Sequence, residues 1–111
     1  MNKISIIGLG AIGLPLSLLL SKNNQKVYGY DLDKNRIKKI LNPKKEYFDD
    51  DIFQILNNKN ANKNFIISNK LNKADVYIVC VPTPIKKKNK KFTADLRYLN
   101  QAVNAISKLL K

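Results

Sequence analysis

The chain has 111 residues, of which 44% are hydrophobic, so it is long enough for one compact domain and too short for two of ordinary size. Its net charge of +13 suggests nucleic-acid binding. However, only Arg36 and Arg97 of the 21 basic residues are arginines, and the lysines are interleaved with asparagines. We therefore predict a solvated basic surface and no nucleic-acid partner. No apolar run reaches the roughly 20 residues that cross a bilayer, and the chain does not open with a secretory signal. The single cysteine, Cys80, suits a reducing compartment. We therefore predict a cytoplasmic protein without a membrane partner.

The first part of the chain predicts a strand, a helix and a second strand. Ile4–Ile7 is a short β-branched run, which is typical of a strand. From Ala11 to Ser21 apolar residues recur at helical spacing, and Pro15 falls in an early turn where its missing N–H costs little. The segment KVYGY (26–30) predicts the second strand, which ends at Asp31.

The middle of the chain predicts two further helices and two further strands. Asp33 is expected to cap a helix over Lys34–Leu41. Asp49–Leu56 predicts a short helix, and Phe65–Ile67 predicts a third strand. The run DVYIVCV (75–81) has so little polar alternation that we expect a strand buried on both faces, as in parallel sheets.

The last part of the chain completes an alternating pattern. Pro82 and Pro84 end the fourth strand, and the lysine-rich segment around KKKNKK (86–91) is expected to be a loop. Asp95–Leu110 has apolar residues at alternating spacings of three and four and predicts an amphipathic helix. Strands that alternate with helices predict an α/β fold, with a Rossmann-type parallel sheet of about four strands, part of a doubly wound fold, and helices on both faces.

The segment GLGAIG (8–13) fits the pattern G-x-G-x-x-G and lies between the first strand and the first helix, as that motif requires. Gly8 permits a tight turn, Gly10 lets a pyrophosphate approach the backbone, and Gly13 lets the helix pack close to the strand. The start of the helix offers unpaired N–H groups and a partial positive charge to phosphates. We therefore predict a dinucleotide site, with a structural glycine turn without a ligand as the alternative.

Asp31 and Arg36 bear on the choice of dinucleotide. A carboxylate at the end of the second strand can accept hydrogen bonds from both hydroxyls of the adenosine ribose and would repel a 2′-phosphate, so Asp31 favours NAD over NADP. An arginine close to that ribose can favour NADP instead. Because Asp31 is present, we interpret Arg36 as a surface residue of the second helix, and we keep it among the candidate cofactor contacts.

Four segments resemble the UDP-glucose/GDP-mannose dehydrogenase family, the nucleotide-sugar dehydrogenases. GLGAIGLPLS (8–17) is similar to the family opening GLGYVGLPLA, and YGYDLDKNRI (28–37) is similar to its second strand, GYDID…R. ADVYIVCVPTPI (74–85) resembles ADVIFICVPTP, and ADLRYLNQAVNAI (94–106) resembles PDLSYVEAAARAI. The resemblance covers nearly the whole chain and implies that residues 1–111 form an NAD-binding domain.

The resemblance also implies specific cofactor contacts. Ala11 and Ile12 would lie against NAD, Asp31 would hold the adenosine ribose, and Thr83 would contact NAD at the carboxyl end of the fourth strand. Ala11 departs from the family, which often has tyrosine there. The alternative for Pro82-Thr83-Pro84 is a rigid turn that only ends the strand.

The activity implied by the resemblance needs more than these residues. The family oxidises an alcohol to an aldehyde and then to an acid with two molecules of NAD, and its catalytic cysteine, lysine and asparagine lie in later segments. We expect Cys80 to lie inside a buried strand as a small hydrophobe. We therefore predict no catalytic residue and no metal site here, and a UDP-sugar substrate only together with the missing sugar-binding and catalytic parts.

Three questions stay open at the level of sequence. Within the family that the chain resembles, Ile85 after PTP is more similar to the UDP-N-acetylhexosamine enzymes than to the UDP-glucose enzymes, which often have threonine there. The resemblance thus implies UDP-N-acetylmannosamine or UDP-N-acetylglucosamine as substrate, with UDP-glucose second. The chain could instead be a non-catalytic NAD-binding remnant or module, and the reading frame beyond codon 111 would distinguish the two. The helix at 95–110 would normally pack within a larger sheet, so a half-fold would expose an apolar edge there, and we predict self-association as a homo-oligomer.

Overall fold

The computed structural model describes residues 2–88 and 90–110, apart from the side chains of Lys86, Lys88 and Phe92. Its centre is a four-stranded sheet with the order β3-β2-β1-β4, in which all three pairings are parallel. The strands are β1 (Lys3–Ile7), β2 (Lys26–Tyr30), β3 (Phe65–Ser68) and β4 (Val76–Val79). This is the α/β Rossmann-type sheet predicted from the sequence.

Helices connect and follow the strands as predicted, with small shifts at their ends. They are α1 (Gly13–Lys22), α2 (Lys34–Leu41), α3 (Asp50–Leu56) and α4 (Arg97–Leu109), and a single 3-10 turn covers Lys45–Tyr47. The Asp33 carboxylate caps α2 by accepting hydrogen bonds from the backbone N–H groups of Asn35 (3.0 Å) and Arg36 (3.1 Å). The bounds of α2 and its cap therefore agree with the prediction.

The core lies on one face of the sheet. Register places Ile4 beside Val27, and these side chains pack against α1, α2 and α3. The buried cluster consists of Ile4, Ile6, Leu9, Leu14, Leu18, Val27, Ile40 and Leu56. α4 stands apart from this cluster and packs against β4, so its position is set by a different part of the sheet.

The prediction that residues 75–81 form a strand buried on both faces is wrong. β4 covers only Val76–Val79, and each of its side chains is half-buried or exposed. β4 is an edge strand that pairs with β1 alone within the described residues, so its apolar sequence is not matched by neighbours on both sides.

The segment expected to be a basic loop forms an antiparallel hairpin, β5 (Ile85–Lys88) with β6 (Lys91–Ala94). Lysine and asparagine are poor strand formers, so composition concealed these strands. The last helix begins two residues later than expected, because the buried carboxylate of Asp95 accepts a hydrogen bond from the Arg97 backbone N–H at 3.1 Å. Among the described helices, none combines the length and apolar character needed to span a membrane.

Candidate cofactor-binding cleft

A cleft of about 880 Å³ opens at the edge of the sheet where β1, β2 and β4 end. Three segments that follow these strands line it: the glycine loop at 8–12, residues 30–33 at the end of β2, and residues 80–83 after β4. The carboxyl ends of the strands are where open α/β sheets bind ligands.

Gly8 fixes the turn that leaves β1. Its φ angle is 99°, which side-chain-bearing residues rarely adopt, and its backbone N–H donates to the Tyr30 carbonyl at 2.8 Å. A Cβ at Gly8 would lie 2.6 Å from the Cys80 carbonyl oxygen. The turn therefore packs against the last residue of β2 and the segment that follows β4.

Gly13 and Gly10 differ in their surroundings. A Cβ at Gly13 would overlap the carbonyl oxygen of Gly8, so the start of α1 packs directly on the loop, and Gly13 itself does not line the cleft. A Cβ at Gly10 would meet only the Arg36 guanidinium, at 3.8 Å or more. A side chain at Gly10 would therefore be in ordinary contact with Arg36, and without one the backbone of Gly10 lines the cleft.

The N-terminus of α1 is suited to an anion. No side chain caps it, and its first turn contains no acidic residue. Ala11 and Ile12 line the cleft just before the helix, and Ile12 is 73% exposed. The partial positive charge of the helix end is thus not offset by a neighbouring carboxylate in the first turn.

The Asp31 carboxylate links the loop to α2. Its Oδ2 accepts hydrogen bonds from the Leu9 backbone N–H at 2.8 Å and from Arg36 Nη1 at 3.1 Å, and its Oδ1 accepts from the Asp33 backbone N–H at 2.8 Å. The Asp31 side chain is 7% exposed. A carboxylate has about four acceptor positions, so Oδ1 retains one for a ligand hydroxyl.

Arg36 is more than the surface residue of α2 that the sequence suggested. Its guanidinium reaches back to Asp31 and lies beside Gly10, and the residue lines the cleft. The sequence spacing placed Arg36 near the ribose position, but the ion pair depends on the way α2 packs.

Thr83 and Cys80 line the cleft from the segment after β4. The expectation that Cys80 lies inside a buried strand is wrong: it follows the last residue of β4 and is half-buried. Its backbone N–H donates to the Ile7 carbonyl at 2.7 Å. Burial raises the pKa of the Cys80 thiol, which keeps it protonated and poorly nucleophilic at neutral pH.

Residues 2–111 match the sequence profile described as the NAD binding domain of the UDP-glucose/GDP-mannose dehydrogenase family. The chain belongs to this family. Its match to the NAD binding domain confirms the cofactor class predicted from the glycine motif and Asp31.

Relatives within the family include UDP-N-acetyl-D-mannosamine dehydrogenases. That of Methanococcus aeolicus is 36% identical over 110 residues, which are 99% of this chain and 25% of the relative. That of Campylobacter jejuni is 36% identical over 111 residues, 99% of this chain and 26% of the relative. The chain therefore spans about a quarter of the length of these relatives.

A solved structure of the family has the same fold. The UDP-N-acetyl-mannosamine dehydrogenase Cap5O from Staphylococcus aureus superposes with a TM-score of 0.82 at 26% identity, over 96% of this chain and 26% of that one. The four-stranded sheet and its helices thus correspond to one part of a larger family architecture.

The cleft of this family member fits a dinucleotide. The side-chain-free backbone of Gly10 and the uncapped start of α1 suit a pyrophosphate, and the free acceptor position of Asp31 suits a ribose hydroxyl. Among the described residues, no three His, Cys, Asp or Glu side chains come together as a metal site requires.

Sequence reasoning missed one wall of the cleft. Leu71, from the connection between β3 and β4, and four residues of α4 also line it: Tyr98, Gln101, Ala102 and Ala105. The four α4 residues share one face of the helix, as their spacing shows. That spacing was visible in the sequence, but the leucine-rich stripe of the same helix gave the stronger signal.

Proposed function

We propose that the chain binds NAD in this cleft. The pyrophosphate lies over Gly10 at the N-terminus of α1, and the adenosine ribose is held by Asp31. The observation that carries this proposal is that the cleft is lined by the side-chain-free backbone of Gly10, the uncapped start of α1 and a carboxylate with a free acceptor position. The residues assigned to the site are Gly8, Gly10, Ala11, Ile12, Gly13, Asp31, Arg36 and Thr83.

The proposed site prefers NAD to NADP. A 2′-phosphate would stand against the Asp31 carboxylate, and like charges at short range repel. Arg36 is already paired with Asp31 at 3.1 Å, so its charge is largely engaged by that carboxylate. The pair therefore accepts a ribose hydroxyl more readily than a phosphate.

Calorimetric titration of the chain with NAD, with NADP as the comparison, tests this site. We expect saturable NAD binding and weaker NADP binding. Asp31→Asn keeps the volume and one acceptor oxygen but removes the charge. It should lower the affinity for NAD and reduce the difference between the affinities for NAD and NADP. Asp51→Asn removes a charge from an exposed position on α3 that does not line the cleft. It should change neither the affinity for NAD nor that for NADP.

We further propose that the whole protein is a UDP-N-acetylhexosamine dehydrogenase that oxidises UDP-N-acetylmannosamine to the corresponding uronic acid with NAD. The names of the relatives in Methanococcus aeolicus and Campylobacter jejuni support this substrate, and Ile85 after PTP agrees with it. UDP-glucose is the second candidate. Residues 1–111 serve as the NAD-binding domain, and catalysis requires sugar-binding and catalytic residues beyond them.

A non-catalytic NAD-binding module is the alternative proposal. Cys80, with its raised pKa, is unsuited to act as the nucleophile. The reading frame beyond codon 111 separates the two proposals. An open frame whose product reduces NAD with UDP-N-acetylmannosamine, and less with UDP-glucose, supports the dehydrogenase; a stop codon supports the module.

We also propose a cytoplasmic location and self-association through α4. The single thiol suits a reducing compartment. Leu96, Val103 and Leu110 lie seven residues apart along α4 and its ends, and all three are exposed. An apolar line of this kind on a helix can pack against the same line of a second copy.

A further inference from the structure

One wall of the cleft is unexplained by the proposed contacts to pyrophosphate and ribose. α4 presents Tyr98, Gln101, Ala102 and Ala105 to the cavity. Ala102 is buried, whereas Tyr98 and Gln101 are exposed. The helix thus approaches the sheet through a small residue and extends one aromatic and one amide side chain into the open part of the cleft.

Adenine and nicotinamide with its ribose are the parts of NAD without an assigned contact, and the adenine is the one carried by the ribose at Asp31. Leu32, which follows Asp31 directly, lines the same cavity together with Leu71, Val81 and Pro82. Apolar side chains of this kind flank the faces of a planar ring, while polar groups are needed only at its edge. The α4 wall supplies the aromatic ring and the amide that a purine can use.

Tyr98 and Gln101 are exposed and lie outside the buried core. No hydrogen bond joins the Gln101 amide to another group in the part of the chain that the structure describes. The Tyr98 side chain is 41% exposed. Both side chains are therefore available to a ligand, and their substitution should leave the sheet and the core intact.

We propose that Tyr98 and Gln101 recognise the adenine ring of NAD. Tyr98 stacks on a face of the ring, and the Gln101 amide pairs with its amino edge. A glutamine amide offers an acceptor and a donor side by side, which match the exocyclic amino group and the N7 atom of adenine. This inference rests on the proposed NAD site and adds a base-specific contact to it.

The test compares NAD with nicotinamide hypoxanthine dinucleotide, in which a carbonyl replaces the adenine amino group and the rest of the molecule is unchanged. On its N7 edge hypoxanthine presents two acceptors, O6 and N7, so the Gln101 carbonyl lacks a donor whichever way the amide is turned. The wild-type chain should therefore bind NAD about tenfold more tightly, the size of effect expected for a bidentate amide–adenine pair.

Gln101→Ala should remove this preference, because it lowers the affinity for NAD and leaves the affinity for the hypoxanthine analogue nearly unchanged. Asn100→Ala is the matched control, because Asn100 is the neighbouring exposed amide on α4 and does not line the cleft. This variant should retain the preference for NAD.

The stacking role of Tyr98 is tested separately. Tyr98→Ala should lower the affinity for both dinucleotides about tenfold, whereas Tyr98→Phe keeps the stacking ring and should bind both as the wild type does.

Each result decides the inference. If the wild-type chain binds NAD and the analogue equally, or if Gln101→Ala keeps the preference, base recognition by Gln101 is wrong while the NAD site stands. If Tyr98→Ala binds both dinucleotides normally, the stacking role is wrong. If wild-type chain that is folded by circular dichroism shows no saturable NAD binding, the proposed function fails and this inference fails with it.

Discussion

The three glycines of the loop are required for two different reasons. Gly8 and Gly13 are held against backbone: a Cβ at Gly8 would lie 2.6 Å from the Cys80 carbonyl oxygen, and a Cβ at Gly13 would overlap the Gly8 carbonyl oxygen. Backbone atoms cannot yield as a flexible side chain can. At Gly10 the nearest atoms belong to the Arg36 side chain, at 3.8 Å, so the fold needs two of the glycines, and we propose that the third serves the ligand.

Alanine substitutions should separate these roles. Gly13→Ala should lower the free energy of unfolding by about 3 kcal/mol or more, because overpacking against backbone has no easy relief. Gly10→Ala should stay within about 1 kcal/mol of the wild type but lose NAD binding, because its methyl group occupies the place of the pyrophosphate. Urea denaturation and calorimetric titration measure the two effects. Similar losses of stability in both variants would contradict the claim that the fold requires Gly13 but not Gly10.

Cys80 provides a reporter inside the cleft. Burial raises the pKa of its thiol, and a raised pKa lowers the thiolate fraction at any pH near neutrality. Alkylation by iodoacetamide at pH 8 should therefore be slower than that of free cysteine and should accelerate as the pH rises. NAD should slow it further, because Cys80 lines the proposed site.

Mass spectrometry of the single thiol measures these rates. Denaturation in urea should restore the rate of free cysteine, and sulfate at matched ionic strength should give no protection. Alkylation as fast as that of free cysteine, or unaffected by saturating NAD, would show that Cys80 is neither shielded by the fold nor part of the cofactor cleft.

At the level of elements, the two acidic N-caps of α2 and α3 make a matched pair. Asp33 accepts hydrogen bonds from two backbone N–H groups of α2, whereas Asp49 occupies the same position before α3 without a side-chain hydrogen bond. Asp33→Ala should therefore lower the free energy of unfolding by about 1 kcal/mol. Asp49→Ala should lower it much less, and equal losses in urea denaturation would contradict the role given to the Asp33 cap.

The elements that sequence predicted best are those with local signals. The bounds of β2 (Lys26–Tyr30) and α2 (Lys34–Leu41) agree with the prediction, because apolar patterning and the Asp33 cap are encoded within a few residues. The hairpin of β5 and β6 was missed because its lysines are poor strand formers. The burial of β4 was overestimated because it depends on neighbouring elements, which local sequence does not report.

The same division applies to the cleft. The glycine loop and Asp31 follow from a motif whose backbone geometry is local to one strand–turn–helix unit. The ion pair of Arg36 with Asp31 and the wall formed by Tyr98 and Gln101 arise from the packing of α2 and α4. Contacts between distant segments have no short sequence signature, so the structure was needed to find them.

At the scale of the whole molecule, a strongly basic chain carries an uncharged apolar line. The net charge of +13 opposes the approach of two copies. The line of Leu96, Val103 and Leu110 is bordered on α4 by Asn100 and Ser107, which carry no charge. The attraction between two such lines is therefore local, whereas the repulsion comes from lysines distributed over the surface.

This contrast predicts that self-association strengthens with ionic strength, because salt screens the repulsion between exposed charges and leaves apolar contact intact. Sedimentation equilibrium at about 0.05 M and 0.5 M salt, where the Debye length falls from about 14 Å to about 4 Å, should show a higher average mass at the higher concentration. Val103→Lys should abolish this rise by placing a charge in the 50% exposed centre of the line. Asn104→Lys adds the same charge at the adjacent exposed position and should leave association unchanged, because its side chain lies about 100° around the helix from Val103. A monomer at both salt concentrations, or equal disruption by both variants, would show that this line of α4 does not join two copies.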